Sequence, residues 1–172
     1  MDSLTLKILK ERAQKLSDIR ETESLNEAGI EVLKFELANE IFAIEIKYIK
    51  EVLPIKEITE LPLKEGFVLG VINLRWQIIS VLDIRKLYGI PERGISNLNR
   101  VIVLKNDRIE FGILADNIID VTKILSCSIQ ESFTGVDEVR KEYLLGVTPD
   151  RVVIIDAIKI LNDRKIIINN KF

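Results

Sequence analysis

From Ile30 onward the chain is written in short runs of Ile, Val and Leu, each soon closed by Gly, Pro, Asn or Asp. β-Branched side chains favour pleated, half-buried surfaces, and such frequent punctuation leaves little room for long helices. The pattern predicts a mainly β chain of small barrels or sandwiches. The candidate strands are Val32 to Leu37, Phe42 to Ile46, Leu69 to Leu74, Gln77 to Leu82, Arg100 to Leu104, Glu110 to Leu114, Ile118 to Ile124, Tyr143 to Val147 and Val152 to Ile155. Asn39-Glu40 marks a hairpin tip between the first two. Three short helices are expected to interrupt the strands: Lys47 to Leu53, stopped by Pro54, Asp83 to Tyr88, stopped by Gly89, and Asp156 to Leu161, capped by Asp156. The polar loop Pro91 to Asn99 divides the strands into an earlier and a later group, which predicts two linked β units. Arg164 to Phe172 is read either as an added edge strand through Ile166, Ile167 and Ile168 or as a packed tail.

Ahead of the strands, Leu6, Leu9, Ala13 and Leu16 fall at spacings of three, four and three, with Lys7, Lys10, Glu11, Arg12, Lys15 and Asp18 between them. That is one apolar stripe on a helix from residue 3 to about residue 20, with Asp2 or Ser3 as its cap. Packing of the stripe on the body is the favoured expectation, and a partner-binding or dimerising helix is the alternative. Residues 21 to 29 read as a linker. The organisation expected is a helix and linker over 1–29, then a single domain of two β subdomains over 30–172.

Composition narrows the functions open to such a chain. Hydrophobic residues make up 47%, enough for a real core, and 27 acidic residues nearly balance 25 basic ones. No surplus of positive charge exists to displace counterions from a phosphate backbone, so nucleic acid is not expected as a partner. Cys127 is the single cysteine and can form no internal disulfide. No continuous apolar run reaches signal or membrane length, so a cytoplasmic protein is expected, touching membranes only indirectly. Histidine is absent, which removes the commonest general base and the commonest metal ligand.

The spacings that gather catalytic groups are missing too. Gly66 and Gly70 are not followed by a Lys-Ser or Lys-Thr pair, and neither G-x-G-x-x-G nor G-x-S-x-G occurs. Cys127 has no histidine to activate it and reads as structural or incidental. Asp116 and Asp120 form the most plausible carboxylate pair, with solvated or loop-capping acids as the plainer reading. A small ligand-binding or enzymatic β barrel would have to use these two with Arg75. No metal or cofactor is expected.

The segment Gly66 to Gln77 stands apart, because an apolar strand ends abruptly in Asn73, Arg75, Trp76 and Gln77. Arginine and tryptophan exposed together are typical of protein-binding hot spots. The plainer alternative folds Trp76 back over the core and pairs Arg75 with an acid such as Glu51 or Asp83.

Gly70-Val71-Ile72-Asn73-Leu74-Arg75, the apolar run from Ile78, and Asp83-Ile84-Arg85 together resemble the CheW-like family's G-x-x-N-L-R-G, short strand and D-L-R. Phe35 and Leu37, Phe42-Ala43-Ile44, Ile49 with Glu51-Val52, and Ile58 to Pro62 are similar to its opening segments; Phe111 to Asp116 and Ile118, Asp120 and Val121 are similar to its second unit. The resemblance runs from about Ile30 to Leu161. It implies two five-stranded SH3-like β subdomains with an apolar groove between them, and a non-catalytic coupling scaffold in a chemotaxis array. The implied partners are methyl-accepting chemoreceptors and the regulatory domain of the CheA histidine kinase, with an adaptor of another kinase-linked array as the alternative. The implied receptor-facing residues are Ile49, Glu51, Arg75, Ile118 and Val121, with Gly70 and Gly112 allowing close backbone approach. Trp76 stands where the family has glycine, which implies a different turn or a larger contact surface.

Overall fold

The computed structural model describes residues 7–16, 28–61, 66–91, 93–96, 98–131, 141–164 and 166. Strand β1 (Gly29–Leu37) turns through Ala38 and Asn39 into β2 (Glu40–Glu45). Both turn residues have positive φ, 54° and 70°, as a two-residue type I′ turn demands. The expected tip therefore sits one residue earlier than Asn39-Glu40.

A 3-10 turn (Ile46–Tyr48) leads into β3 (Ile49–Pro54), followed by β4 (Val68–Leu74), β5 (Gln77–Leu82), β6 (Arg100–Lys105), β7 (Glu110–Ala115) and β8 (Asn117–Leu125). After a second 3-10 turn (Ser126–Ser128), β9 (Leu144–Val147) and β10 (Val153–Ile155) complete the strands. The helix expected over Lys47 to Leu53 is corrected to a strand. Ile46, Ile49 and Leu53 have helical spacing, but Ile49, Glu51 and Leu53 also alternate, and pairing with β6 half-buries that alternate face. Tertiary pairing overrides the local pattern.

Helix α1 spans 7–16, α2 is Ile84–Tyr88 and α3 is Ala157–Asn162. The latter two start as expected: the Asp83 carboxylate accepts from the Arg85 amide and the Asp156 carboxylate from the Lys159 amide. Gly89 closes α2 in the left-handed region, φ 59°. Every residue of 7–16 is exposed, so the favoured expectation that this helix packs on the body is corrected. Leu6 and residues 17–27, 165 and 167–172, including most of the expected linker and most of the tail, lie outside the described residues. No helix among the described residues is long and apolar enough to cross a membrane.

The strands form two five-stranded sheets, β8-β1-β2-β10-β9 and β3-β6-β7-β5-β4. The two five-stranded subdomains are as expected, but the chain does not divide at Pro91 to Asn99. The second sheet uses β3 to β7 in one stretch, whereas the first combines the opening hairpin with the last three strands. The two are built alike in a permuted order. Each is closed by a short parallel pairing, Val81 with Gly112 and Leu82 with Ile113, or Val153 with Phe42 and Ile154 with Ala43. Each then runs into an Asp-capped helix, and each carries one isolated bridge, Thr59 to Val71 or Gln130 to Val147. Each has a bulge at the same place: Lys50 is the extra residue of β3 against β6, and Ile119 the extra residue of β8 against β1.

Strands β6 and β7 are apolar on both faces because they lie between two cores. Val101, Val103 and Leu114 fill the second sheet's own interior, while Ile102, Leu104, Phe111 and Ile113 face a larger core shared with Leu33, Phe35 and Phe42 of the first sheet. Phe42 stacks on Phe35 and on Tyr88, with ring centroids 5.9 and 5.7 Å apart.

A buried polar network crosses this junction. Arg85 is 2% exposed, and its Nε and Nη2 donate to the two Asp83 carboxylate oxygens, both at 2.8 Å, while its Nη1 donates to the Arg93 carbonyl. Asp116 accepts from the Ala38 amide at 2.7 Å and from Asn99 Nδ2 at 2.8 Å, and Arg93 donates to Asn39 Oδ1. Helix α2, Arg93, Asn99 and the β1–β2 turn are thereby tied together. Arg85→Met should cost about 3–5 kcal/mol because it leaves a buried carboxylate without its partner; urea unfolding measures this, and a loss below about 1 kcal/mol would contradict it.

Burial raises the Tyr88 hydroxyl well above the ordinary tyrosine value. It donates to the Tyr143 carbonyl. Below pH of about 10 the group is neutral folded or unfolded and contributes no pH dependence; above it only the unfolded chain ionises, so stability should fall with rising pH. Tyr88→Phe should lose about 1 kcal/mol at neutral pH and flatten that alkaline decline in denaturant titrations.

Candidate functional site

The β4–β5 hairpin turns through Arg75 and Trp76, with φ of 48° and 72°. The turn is therefore again of type I′ geometry, with no glycine in it. The Trp76 amide donates to Asn73 Oδ1 at 3.2 Å, and the side chain is 96% exposed. It does not fold back over the core. Arg75 Nη2 donates to Glu51 Oε2 at 3.2 Å across to β3, so the local ion pair anticipated with Glu51 is present. Glu51 is mostly covered while Arg75 is 78% exposed, so the pair holds the arginine at the surface rather than withdrawing it. Ile78, which pairs with Asn73 across the hairpin, is 71% exposed.

Beside this tip, the end of β3 and strand β4 leave an apolar groove of ≈ 260 Å³ between Leu53, Ile55, Ile72, Leu74 and Val101. It is the mouth of the second sheet's interior.

The remaining sequence-derived residues fall into three settings. Ile49 and Ile118 are half-buried and pack on the rim of the shared core. They occupy equivalent places, since Ile49 pairs with Leu104 and Ile118 with Phe35 just before each bulge. Val121 is 59% exposed on β8 opposite Leu33. Gly70 and Gly112 are buried, and their close approaches are to this chain's own atoms: a Cβ on Gly70 would lie 2.3 Å from the Thr59 carbonyl oxygen, and one on Gly112 2.3 Å from Val101 Cγ1.

Arg75, Trp76 and Glu51 are thus brought together. Ile49 joins them through β3, and Ile118 and Val121 lie on the other sheet. Two exposed residues of the same surfaces were not anticipated. Val52 is the counterpart of Val121 by strand register, and Ile78 flanks Trp76. The signal for Val52 lies in the repeat between the sheets, which permutation hides in the sequence.

The residues of the ligand-binding alternative are each engaged separately. Asp116 accepts from Ala38 and Asn99, Asp120 pairs with Lys34 at 3.1 Å, and Arg75 pairs with Glu51. Cys127 is exposed in the second 3-10 turn. Among the described residues no three His, Cys, Asp or Glu side chains gather in a metal-holding group.

Gly70→Ala should cost about 1–3 kcal/mol, as a methyl group is driven into the Thr59 backbone. Hydrogen exchange would show it as faster exchange of the Val71 amide, which donates to the Thr59 carbonyl at 2.9 Å. Unchanged exchange would argue that the bridge adapts freely.

The CheW-like domain family model matches residues 31–165. The chain is 31% identical over 134 residues to the chemotaxis protein CheW of Thermotoga maritima, across 77% of this chain and 88% of that one. It is 21% identical over 150 residues to the chemotaxis protein CheW of Treponema pallidum, across 83% and 88%. Among solved structures it is similar to the scaffolding protein TtCheW from Thermoanaerobacter tengcongensis, with a TM-score of 0.65 and 31% identity over 74% of this chain and 84% of that chain.

Proposed function

The chain belongs to the CheW-like domain family, and from that premise we propose that it is a non-catalytic coupling scaffold, bridging chemoreceptor tips to a CheA-type histidine kinase in the cytoplasm. The relatives support the coarser statement, a scaffold of chemotaxis signalling. The observation that carries the finer one is the hairpin tip. Arg75 stands in the surface, braced by Glu51, beside a fully presented Trp76. A guanidinium held in this way keeps donors for a carboxylate on a partner, while aromatic and aliphatic neighbours supply burial.

In this reading Ile49, Glu51, Arg75 and Trp76 on one sheet and Ile118 and Val121 on the other contact a helical receptor tip. Gly70 and Gly112 act behind them by letting the sheet pack closely. The kinase side of the bridge falls to apolar edge surface of the subdomains, of the kind the groove along Leu53 and Ile72 offers. An adaptor in another kinase-linked array would use the same surfaces and differ in the kinase it recruits.

Capture of the tagged chain from its own cells should recover a histidine kinase and receptors, and a repeated blank with folded, abundant protein would count against coupling. Arg75→Ala should weaken receptor binding by roughly 1–3 kcal/mol with unchanged melting. Unaltered affinity in calorimetry would remove Arg75 from the contact.

A further inference from the structure

We infer that Trp76 is a partner anchor, held by its hairpin in a glycine-like conformation so that its ring stands free for an apolar helix face that also carries a carboxylate. The inference rests on the coupling reading above and specifies the chemistry of the receptor surface that this hairpin takes.

A φ of 72° is unfavourable for any residue with a Cβ and more so for a bulky aromatic one. Fold stability alone would place glycine or asparagine at this second turn position. Trp76 returns nothing to the fold in exchange. Its side chain is 96% exposed, and its one bond to Asn73 runs through the backbone amide, which every residue but proline supplies. The strain is thus unrelated to packing, and persistent strain without a packing return is characteristic of binding surfaces.

The neighbours set the partner's chemistry. Ile78 adds a second large apolar group at 71% exposure, and Arg75 a cation at 78%. Glu51 engages Arg75 through Nη2 alone, which leaves guanidinium donors directed to solvent. An apolar stripe interrupted by an acidic residue, as an amphipathic helix presents, satisfies all three side chains together. The tip is also continuous with Glu51 and Ile49 of β3, so the same helix can lie across both.

Trp76 is the only tryptophan in the chain, so its fluorescence reports on this tip alone. The full-length protein would be titrated with a soluble helical-hairpin tip fragment of a chemoreceptor from the same cells, followed by tryptophan emission and by calorimetry. Emission is expected to be water-like in the free protein and to shift to the blue as the fragment binds. Trp76→Gly should melt at a higher temperature than the parent yet bind at least tenfold more weakly, and Trp76→Phe should keep most of the affinity. Binding that saturates without an emission shift, or a glycine variant that binds as the parent does or melts lower, overturns the inference and leaves the coupling reading standing. Parent protein that binds no receptor fragment overturns both. Blue emission in the free protein that turns water-like on removal of residues 1–28 would put the ring under the chain's own helix, and would overturn it as well.

Discussion

The antiparallel pairing of β1 with β8 is the constraint on which the rest of the arrangement depends. β1 carries apolar side chains on both faces, Val32 toward a small interior with Ile124 and Ile154, and Leu33, Phe35 and Leu37 toward the shared core. β2 covers only one edge of it. The other stays open until the chain has built the whole second sheet and returned, so the first sheet cannot be completed by local contacts. The second sheet is contiguous in sequence, and its longest closure, β3 on β6, spans the β4–β5 hairpin and α2, whereas the first waits on the longer closure of β1 on β8. Both then share one core.

Permuted repetition explains where the surface residues come to lie. The bulges at Lys50 and Ile119 fall at equivalent registers, and a bulge twists its strand and re-aims the side chains around it. Just before each bulge an isoleucine turns in against the shared core; beyond it a valine, Val52 or Val121, turns out. The acid between them is used differently in the two halves. Glu51 reaches a hairpin tip and braces Arg75, whereas Asp120 is neutralised by Lys34 within its own sheet. One half therefore presents an oriented cation at its edge.

Most strands could be read from the sequence because each has its own apolar run and turn residue. The exception, β3, was ambiguous in a physical sense: Ile46, Ile49 and Leu53 suit a helix, Ile49, Glu51 and Leu53 suit a strand, and only the presence of β6 decides. The division into sheets was not legible, since a strand pairs with whatever edge the fold brings to it, and no local pattern in β1 names β8. The Arg75 and Glu51 pairing was legible as a possible ion pair, and the exposure of Trp76 was one of two open readings. The position of α1 was not legible, because an amphipathic stripe says that a face is apolar without saying what covers it.

The two hairpins with positive φ at both turn residues show how one conformation can serve two ends. At Ala38 and Asn39 the turn is held from inside: the Ala38 amide is bonded to Asp116, Asn39 accepts from Arg93, and both lead into the buried network around Arg85. Strain there is over-determined by the junction between the sheets, and the turn is part of the framework. At Arg75 and Trp76 the supports are single bonds at 3.2 Å, from Arg75 to the mostly covered Glu51 and from the Trp76 amide to Asn73. Nothing buried depends on this second turn, so a large side chain in an unfavourable conformation can be carried on it without disturbing either core. The framework turn is closed to change by its buried partners, and the exposed one is not.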